Sequence, residues 1–562
     1  MLFDFDSFGY GHLVGLFVGW ISMYVMYDVL FRKRPEYVNG RKVSIVPPRY
    51  PILGHIPDLL PSTILATFEK NRRLYGSFVD CYIFNDRKRV ICDPAILKEL
   101  LSMRPKGFRR PLPQTSDGPF HVVGMKSALF NAEGALWSKM RRLISPHFSR
   151  QNVSSMVDTI SHECIHMIHR LRKDCLDKHS GAETGVTANT ISNVNSEKVA
   201  IPLDQMAQIY SVRVVGKVAL GITTDEGMDE YFGTSLIITD TKAIFKYLLE
   251  KQLFPLPTFF WKNSSKFIFE REAVEASKRI ENFTKVHIKT YKGESHQRRG
   301  SAGGGSSSSL IDSMLRAAAN ESVSDDEISE NVRILFIAGS ETTSSTITWT
   351  LYLLFVLHPA WLAAVRKEVE EVLRLGAGTT PGEGVCALER PLTNEELRTG
   401  LPITLGCVKE AIRLYPAVSF FGLQLQTGGS SSGGVTLSNG MQIGPSDVIW
   451  AYSEGALMDS SAFGPNPAEF NPARWVALAD PGRSAELATA NSTLDLAFGG
   501  GPRVCPGMGL AMLEATAFVA YFAVHFDAQL ACPQAEIMRV LEFTAKCNKM
   551  PMFLTPRKGS TA

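Results

Sequence analysis

The chain has 562 residues, 45% of them hydrophobic, with nine cysteines and a net charge of +3. That charge, with no basic block interleaved with aromatic residues, gives no basis for nucleic-acid binding. An odd cysteine count without a CxxC pair argues against a disulfide framework and for reduced thiols in a cytosolic or nuclear compartment.

The first element is an apolar run. From Ser7 to Tyr27 there is no Asp, Glu, Lys or Arg, and the length suits a helix crossing a hydrocarbon core of ~30 Å, which takes ~20 residues. Asp4 and Asp6 precede it and Arg32, Lys33 and Arg34 follow, so the positive-inside rule places the remaining chain in the cytosol. A cleaved signal peptide would carry its basic residues on the other flank. Pro47, Pro48 and Pro51 then forbid a continuing helix and make a stiff hinge.

Beyond the hinge most segments carry helical periodicity: Trp137 to Leu171, Ile328 to Leu357, Trp361 to Leu375, Ile403 to Leu414 and Gly507 to Phe526. Strand-like stretches are fewer, such as Phe78 to Phe84 and Val90 to Cys92. The fold class is therefore mainly α with a minor β sheet. Four segments rich in Gly, Ser, Thr or Asn read as surface loops: Ser180 to Ser196, Gly300 to Ser309, Gly376 to Gly384 and Gly428 to Gly434. Length alone suggests roughly two to four domains. The motifs below straddle three of these loops, which makes them insertions within one fold.

In chain order the first chemical pattern is His162-Glu163-Cys164-Ile165-His166, which fits HExxH, a zinc-peptidase pattern. Three fixed positions in five residues make it loose, and His169 follows at the wrong spacing for the extended motif. The next is a helix opened by Ser324 and Glu327, a capping box, with Asp325 and Asp326 at the positive dipole end and Pro359 beyond its close. Between Arg333 and His358 its one charged residue is Glu341. Ser340, Thr342, Thr343, Ser344, Ser345 and Thr346 form a polar belt that argues for a buried core helix over a second membrane span. A lone buried carboxylate needs a partner or a task.

The strongest signal is Phe498-Gly499-Gly500-Gly501-Pro502-Arg503-Val504-Cys505-Pro506-Gly507. Three glycines permit a tight turn and close approach to a flat ligand. Cys505 sits just before an apolar helix, whose free N–H groups and positive dipole end stabilise a thiolate. Arg503 offers a cation to an acidic group on the ligand, and Phe498 offers a shield for the sulfur. A buried structural cysteine in a Gly-rich turn is the plainer reading of these residues alone.

The stretch resembles the cysteine loop of the cytochromes P450, FxxGxRxCxG, with every fixed position present. The resemblance implies Cys505 as axial ligand of haem iron, its thiolate pushing electron density that favours O–O cleavage, with Arg503 on a propionate and Phe498 beside the sulfur. Ala338-Gly339-Ser340-Glu341-Thr342-Thr343 resembles that family's AGxET segment. It implies that Gly339 makes room for the oxygen ligand and that Glu341 and Thr342 deliver protons. Gly134 to Arg141 resembles the WxxxR helix, which implies Trp137 and Arg141, one turn apart, at the propionates. Glu410-Ala411-Ile412-Arg413, followed by Tyr415-Pro416, resembles the ExxR helix, with Arg474 completing its ion network. One position departs from the pattern. The basic residue expected about ten positions after Arg413 is absent, and Phe421-Gly422-Leu423-Gln424 stands there, with Gln424 offering only a neutral hydrogen bond.

The resemblance runs from about Pro47 to Arg557. It implies one cytochrome P450 haem domain with its hinge (35–562) behind an N-terminal transmembrane anchor and basic flank (1–34). The implied function is a monooxygenase carrying haem b, single-pass in the endoplasmic reticulum membrane with its body in the cytosol. It would draw electrons from NADPH through NADPH–cytochrome P450 reductase, with cytochrome b5 as a second donor, because no flavin or nicotinamide fingerprint occurs in the chain. Two alternatives keep the haem: a hydroperoxide isomerase or dehydratase, and a non-catalytic haem-binding protein. Phe120, Val122, Val123, Val418, Phe420 and Phe421 fall in segments aligned with family substrate contacts and imply an apolar pocket for a fatty acid, sterol or terpenoid-like substrate.

Overall fold

The computed structural model describes residues 18, 19, 22, 37–38, 41–46, 54–83, 86–111, 119–180, 200–222, 236–253, 268–298, 309–318, 323–377, 388–426, 434–445, 447–476 and 484–557. The apolar run from Ser7 to Tyr27, apart from helical Val18, Gly19 and Ser22, lies outside them. So do the four Gly/Ser-rich segments apart from their edges. The chain divides into two compact units, Met1–Pro111 with Phe420–Ala456, and Leu112–Ser419 with Leu457–Ala562.

The first unit is built on a six-stranded sheet in the order Ser44–Ile45, Phe78–Ile83, Asp86–Ile91, Val448–Ala451, Phe421–Leu425 and Phe108–Arg109. The expected strand at 78–84 pairs antiparallel with Asp86–Ile91, Val79 facing Val90. Pro94–Ser102 begins where Asp93 accepts the Ile96 N–H at 3.0 Å, a side-chain N-cap with proline in the first turn. Phe420 packs edge-on to Phe68 at 5.2 Å in this unit, and Leu423 and Gln424 lie on the Phe421–Leu425 strand.

The second unit is helical. Its elements used below are α1 (Gly134–Ile144), α2 (Val157–Ser180), α3 (Leu203–Val215), α4 (Leu236–Leu253), α5 (Asp325–Tyr352), α6 (Pro359–Ala377), α7 (Pro402–Leu414) and α8 (Met508–His525). A hairpin, β1 (Arg539–Leu541) with β2 (Ala545–Cys547), and a three-stranded sheet of Phe526–Leu530, Pro551–Pro556 and Ile201–Pro202 complete it. The helix expected over Trp137 to Leu171 is interrupted. Pro146 turns Ser145–Phe148 into a 3₁₀ segment, and Ser149 caps a separate short helix at Arg150–Ser155 before α2.

The capping box at the start of α5 is present. Glu327 N–H donates to Ser324 Oγ at 3.1 Å, and Ser324 N–H to Glu327 Oε2 at 2.8 Å. The helix packs against α3, α7 and α8 at the centre of the unit. Leu353–Leu357 adds a π turn, and α6 starts afresh at Pro359. By length and composition α8 could cross a membrane. Every residue from Leu513 to His525 is buried, which makes it the core helix of the unit.

Candidate functional site

The glycines of the cysteine loop are used as backbone. Gly499, Gly500 and Gly501 have φ of 98°, 101° and 61°, values that side-chain-bearing residues seldom adopt. Their turn brings the Cys505 N–H back onto Phe498 O at 2.8 Å. Gly507 then stands at the N-cap of α8. Cys505 is exposed, although protein surrounds its thiol closely. Burial pushes its pKa up. The Gly507 and Met508 N–H groups and the Arg141 charge oppose that shift, the arrangement that favours a thiolate once an electrophilic partner arrives.

Two arginines fasten the loop to α1. Arg141 Nη1 donates to Val504 O at 2.9 Å, and burial lowers its pKa against the pull of Cys505. The Arg503 guanidinium lies 4.7 Å from the centre of the Trp137 ring. Its Nη2 donates to Ala132 O at 2.7 Å and to Glu133 Oε2 at 2.5 Å. Trp137, Arg141, Arg503 and Cys505 are thus brought together as the sequence suggests. Glu133, one residue before the WxxxR stretch, was missed. Its signal is a carboxylate placed where the chain enters a helix that faces two arginines.

On α5 the expected residues divide between faces. Ala338 is exposed and Thr342 and Thr346 half-buried, one turn apart each. This stripe stays accessible beside the buried Ser340, Glu341, Thr343, Ser344 and Ser345. Thr342 Oγ1 donates to Ala338 O at 2.7 Å. Ser340, Ser344, Thr346, Thr348 and Thr350 likewise donate to carbonyls three or four residues back, so much of the polar belt is satisfied by its own helix. At Gly339 a Cβ would lie 2.8 Å from Val215 Cγ2, so its missing side chain serves the close seam with α3, and the neighbouring Ala338 is exposed.

Glu341 points elsewhere. It is 2% exposed. Its carboxylate accepts from Thr544 Oγ1 at 2.7 Å and from Lys546 Nζ at 2.7 Å. Burial pushes the carboxyl pKa up, and the Lys546 ammonium works against that rise. The lone carboxylate of α5 therefore has the partner its burial demands, 205 residues away in sequence. No spacing rule could have found it.

The ExxR network is formed in full. Glu410 and Arg413 are 0% exposed and make two bonds of 2.7 Å. Trp475 Nε1 donates to Glu410 at 3.0 Å, the Asn471 N–H at 2.9 Å, and Arg474 stands 3.7 Å away. The HExxH pattern dissolves by contrast. Glu163 is buried and paired with Arg213 at 2.7 Å and with Lys217, while His162 is exposed and bonded to Asp158 O. Among the described residues no group of three or more His, Cys, Asp or Glu is placed to hold a metal ion.

An accessible thiol at a helix N-terminus, flanked by two cations and a tryptophan, is the site of a haem-thiolate protein. Comparison with known proteins agrees. Residues 46–545 match the family model described as Cytochrome P450. The relatives include "Cytochrome P450 734A6" from Oryza sativa subsp. japonica, 23% identical over 520 residues, 90% of this chain and 84% of that protein. Another is "Cytochrome P450 72A397" from Kalopanax septemlobus, 25% identical over 463 residues, covering 81% and 77%. "Cytochrome P450 72A15" from Arabidopsis thaliana is 24% identical over 441 residues, covering 78% and 74%. The chain belongs to the cytochrome P450 family and is a haem-thiolate monooxygenase.

The residues present fit that cofactor: a soft sulfur donor is exposed at the N-terminus of α8, and the Arg141 and Arg503 cations beside the cysteine loop suit acidic substituents.

Proposed function

We propose that this enzyme inserts one oxygen atom of O2 into a lipophilic substrate of fatty-acid, sterol or terpenoid type, with electrons from NADPH delivered by NADPH–cytochrome P450 reductase and cytochrome b5 as a second donor. Haem b, when bound, supplies the reductive activation of oxygen and the oxidation of the substrate. The single observation that carries the reading is the presentation of Cys505, accessible at the N-terminus of α8 behind three left-handed glycines.

The chain's own residues then have these tasks. Cys505 would ligate the iron through its thiolate, with the Gly507 and Met508 N–H groups opposing the rise in pKa that burial causes. Arg141, Arg503 and Trp137 would hold the propionates, with Arg503 sharing its charge with Glu133. Phe498 would cover the sulfur. Thr342 holds a proton on the open side of α5, at present donated to Ala338 O, and Glu341 resupplies it. The apolar preference is supported by a buried aromatic group in which Phe245 stacks on Phe543 at 5.0 Å and Phe120 and Phe130 stand 6.4 and 6.1 Å from the same ring. The uncharged run from Ser7 to Tyr27 supports a single-pass anchor in the endoplasmic reticulum membrane with the body cytosolic.

The test is turnover with reductase, NADPH and a panel of lipophilic substrates, comparing Thr342→Ala with the parent. The variant is expected to consume NADPH while releasing peroxide in place of product. Coupling equal to the parent's would contradict the proton role of Thr342. Turnover of a lipid hydroperoxide without NADPH would move the reaction to the isomerase or dehydratase class.

A further inference from the structure

The β1–β2 hairpin touches α5 in a way that the role of Glu341 alone does not require. Both carboxylate oxygens of Glu341 are engaged from it, Oε1 by Lys546 Nζ and Oε2 by Thr544 Oγ1. One turn on, Ser345 Oγ donates to Ala545 O at 3.2 Å, so three consecutive hairpin residues grip one stretch of α5. Glu542 pairs with Lys546 at 2.6 Å from the other side, and these are the charged groups that face the carboxylate. The neighbouring Phe543 is held in the aromatic group of Phe120, Phe130 and Phe245, so the hairpin cannot leave α5 without breaking those contacts too. A carboxylate at this depth would take up a proton and become neutral without a cation beside it.

We propose that Lys546, seconded by Thr544, is a positioning residue for proton delivery: it holds the buried Glu341 ionised and turned to the hairpin between turnovers, so that Glu341 can take up a proton and pass it on toward Thr342. The proposal rests on the reading that Glu341 supplies protons. The relay is proton-neutral over a cycle. One proton enters at the carboxylate, one leaves toward the Thr342 hydroxyl, and the Lys546 ion pair re-forms. A merely structural ion pair would leave its mark on stability alone. A positioning residue also sets the resting protonation state of Glu341 and the share of electrons lost as peroxide.

The experiment uses the full-length holoenzyme in its resting state and infrared difference spectroscopy between the parent and Lys546→Met in H2O and D2O. The variant is expected to gain a protonated carboxyl C=O band at neutral pH that shifts in D2O and is absent from the Lys546→Met/Glu341→Gln double variant. Lys546→Arg should lack the band. Reconstituted with reductase, Lys546→Met should release several-fold more peroxide per NADPH, and Lys546→Arg should restore coupling. Lys546→Gln, closer in shape, serves in place of Lys546→Met should the latter fail to fold. If Glu341→Gln uncouples turnover while neither lysine variant gains the band or changes coupling, Lys546 is structural and the proposal is overturned, with the relay intact. If Glu341→Gln itself leaves coupling unchanged, the relay falls and the proposal with it.

Discussion

Replacing Glu410 by Gln should unfold much of what lies behind the cysteine loop. The carboxylate is fully buried and takes both Arg413 bonds at 2.7 Å, the Trp475 indole at 3.0 Å and the Asn471 N–H at 2.9 Å. Removing its charge leaves a buried guanidinium with no carboxylate, facing the carbonyls of Leu457, Pro467 and Glu469, the Met458 sulfur and the Phe463 ring. Breaking one side of such a pair costs ~3–5 kcal/mol, because the remaining charge stays desolvated. Folded domains have ~5–15 kcal/mol in total, so most of the margin would go. Urea titration should read this as a lower midpoint at constant slope, with tryptophan fluorescence and the thiolate-type carbon monoxide spectrum lost together. Glu410→Leu with Arg413→Met should recover part of the loss, since no unpaired charge is then left buried. A cost for Glu410→Gln below ~1 kcal/mol would refute the reasoning, for the pair would then be no stronger than a solvated surface bridge.

Two further outcomes follow from the packing. His525 is fully buried. Its Nδ1 accepts from Arg172 at 2.8 Å and its Nε2–H faces Leu388 O, and burial, reinforced by the Arg172 charge, lowers its pKa from the usual 6.5 to about 4. Between those values the unfolded chain binds the extra proton, so stability should fall as pH drops from about 6.5 to about 4, by roughly 3 kcal/mol in all. His525→Gln should flatten that stretch of a stability-versus-pH curve, and an equally steep curve in the variant would contradict the assignment. Gly339→Ala should cost ~1–3 kcal/mol by forcing α5 off α3, with Val215→Ala as the rescuing partner in a double-mutant cycle. Independent, additive effects would place the seam elsewhere.

What could be read from the sequence was whatever a short range encodes. The cysteine loop, the Ser324 capping box, the helix stop before Pro359 and the Glu410–Arg413 pair all lie within a few residues of their partners, so propensity and spacing suffice. The long helix expected across Pro146 failed because apolar periodicity continues through the break while the proline removes the backbone donor. The resemblance to the AGxET segment implies a role for Gly339 toward the ligand, while its close approach to Val215 is a long-range contact that only the three-dimensional seam shows. Glu341 announced that it needed a partner, yet Lys546 and Thr544 come from a hairpin near the C-terminus, with no local signal to tie them to it. The Glu133 carboxylate is signalled only by its place at the entry to α1, and its partner Arg503 lies far away in sequence.

The most direct test of the account is the carbon monoxide difference spectrum of the reduced protein beside that of Cys505→Ala. A thiolate-type Soret shift in the parent that vanishes in the variant is the predicted result, since Cys505 is the accessible thiol at the N-terminus of α8. A haem spectrum lacking that shift in freshly reduced parent protein, or a shift that survives in Cys505→Ala, would contradict the assignment of Cys505 as the iron ligand.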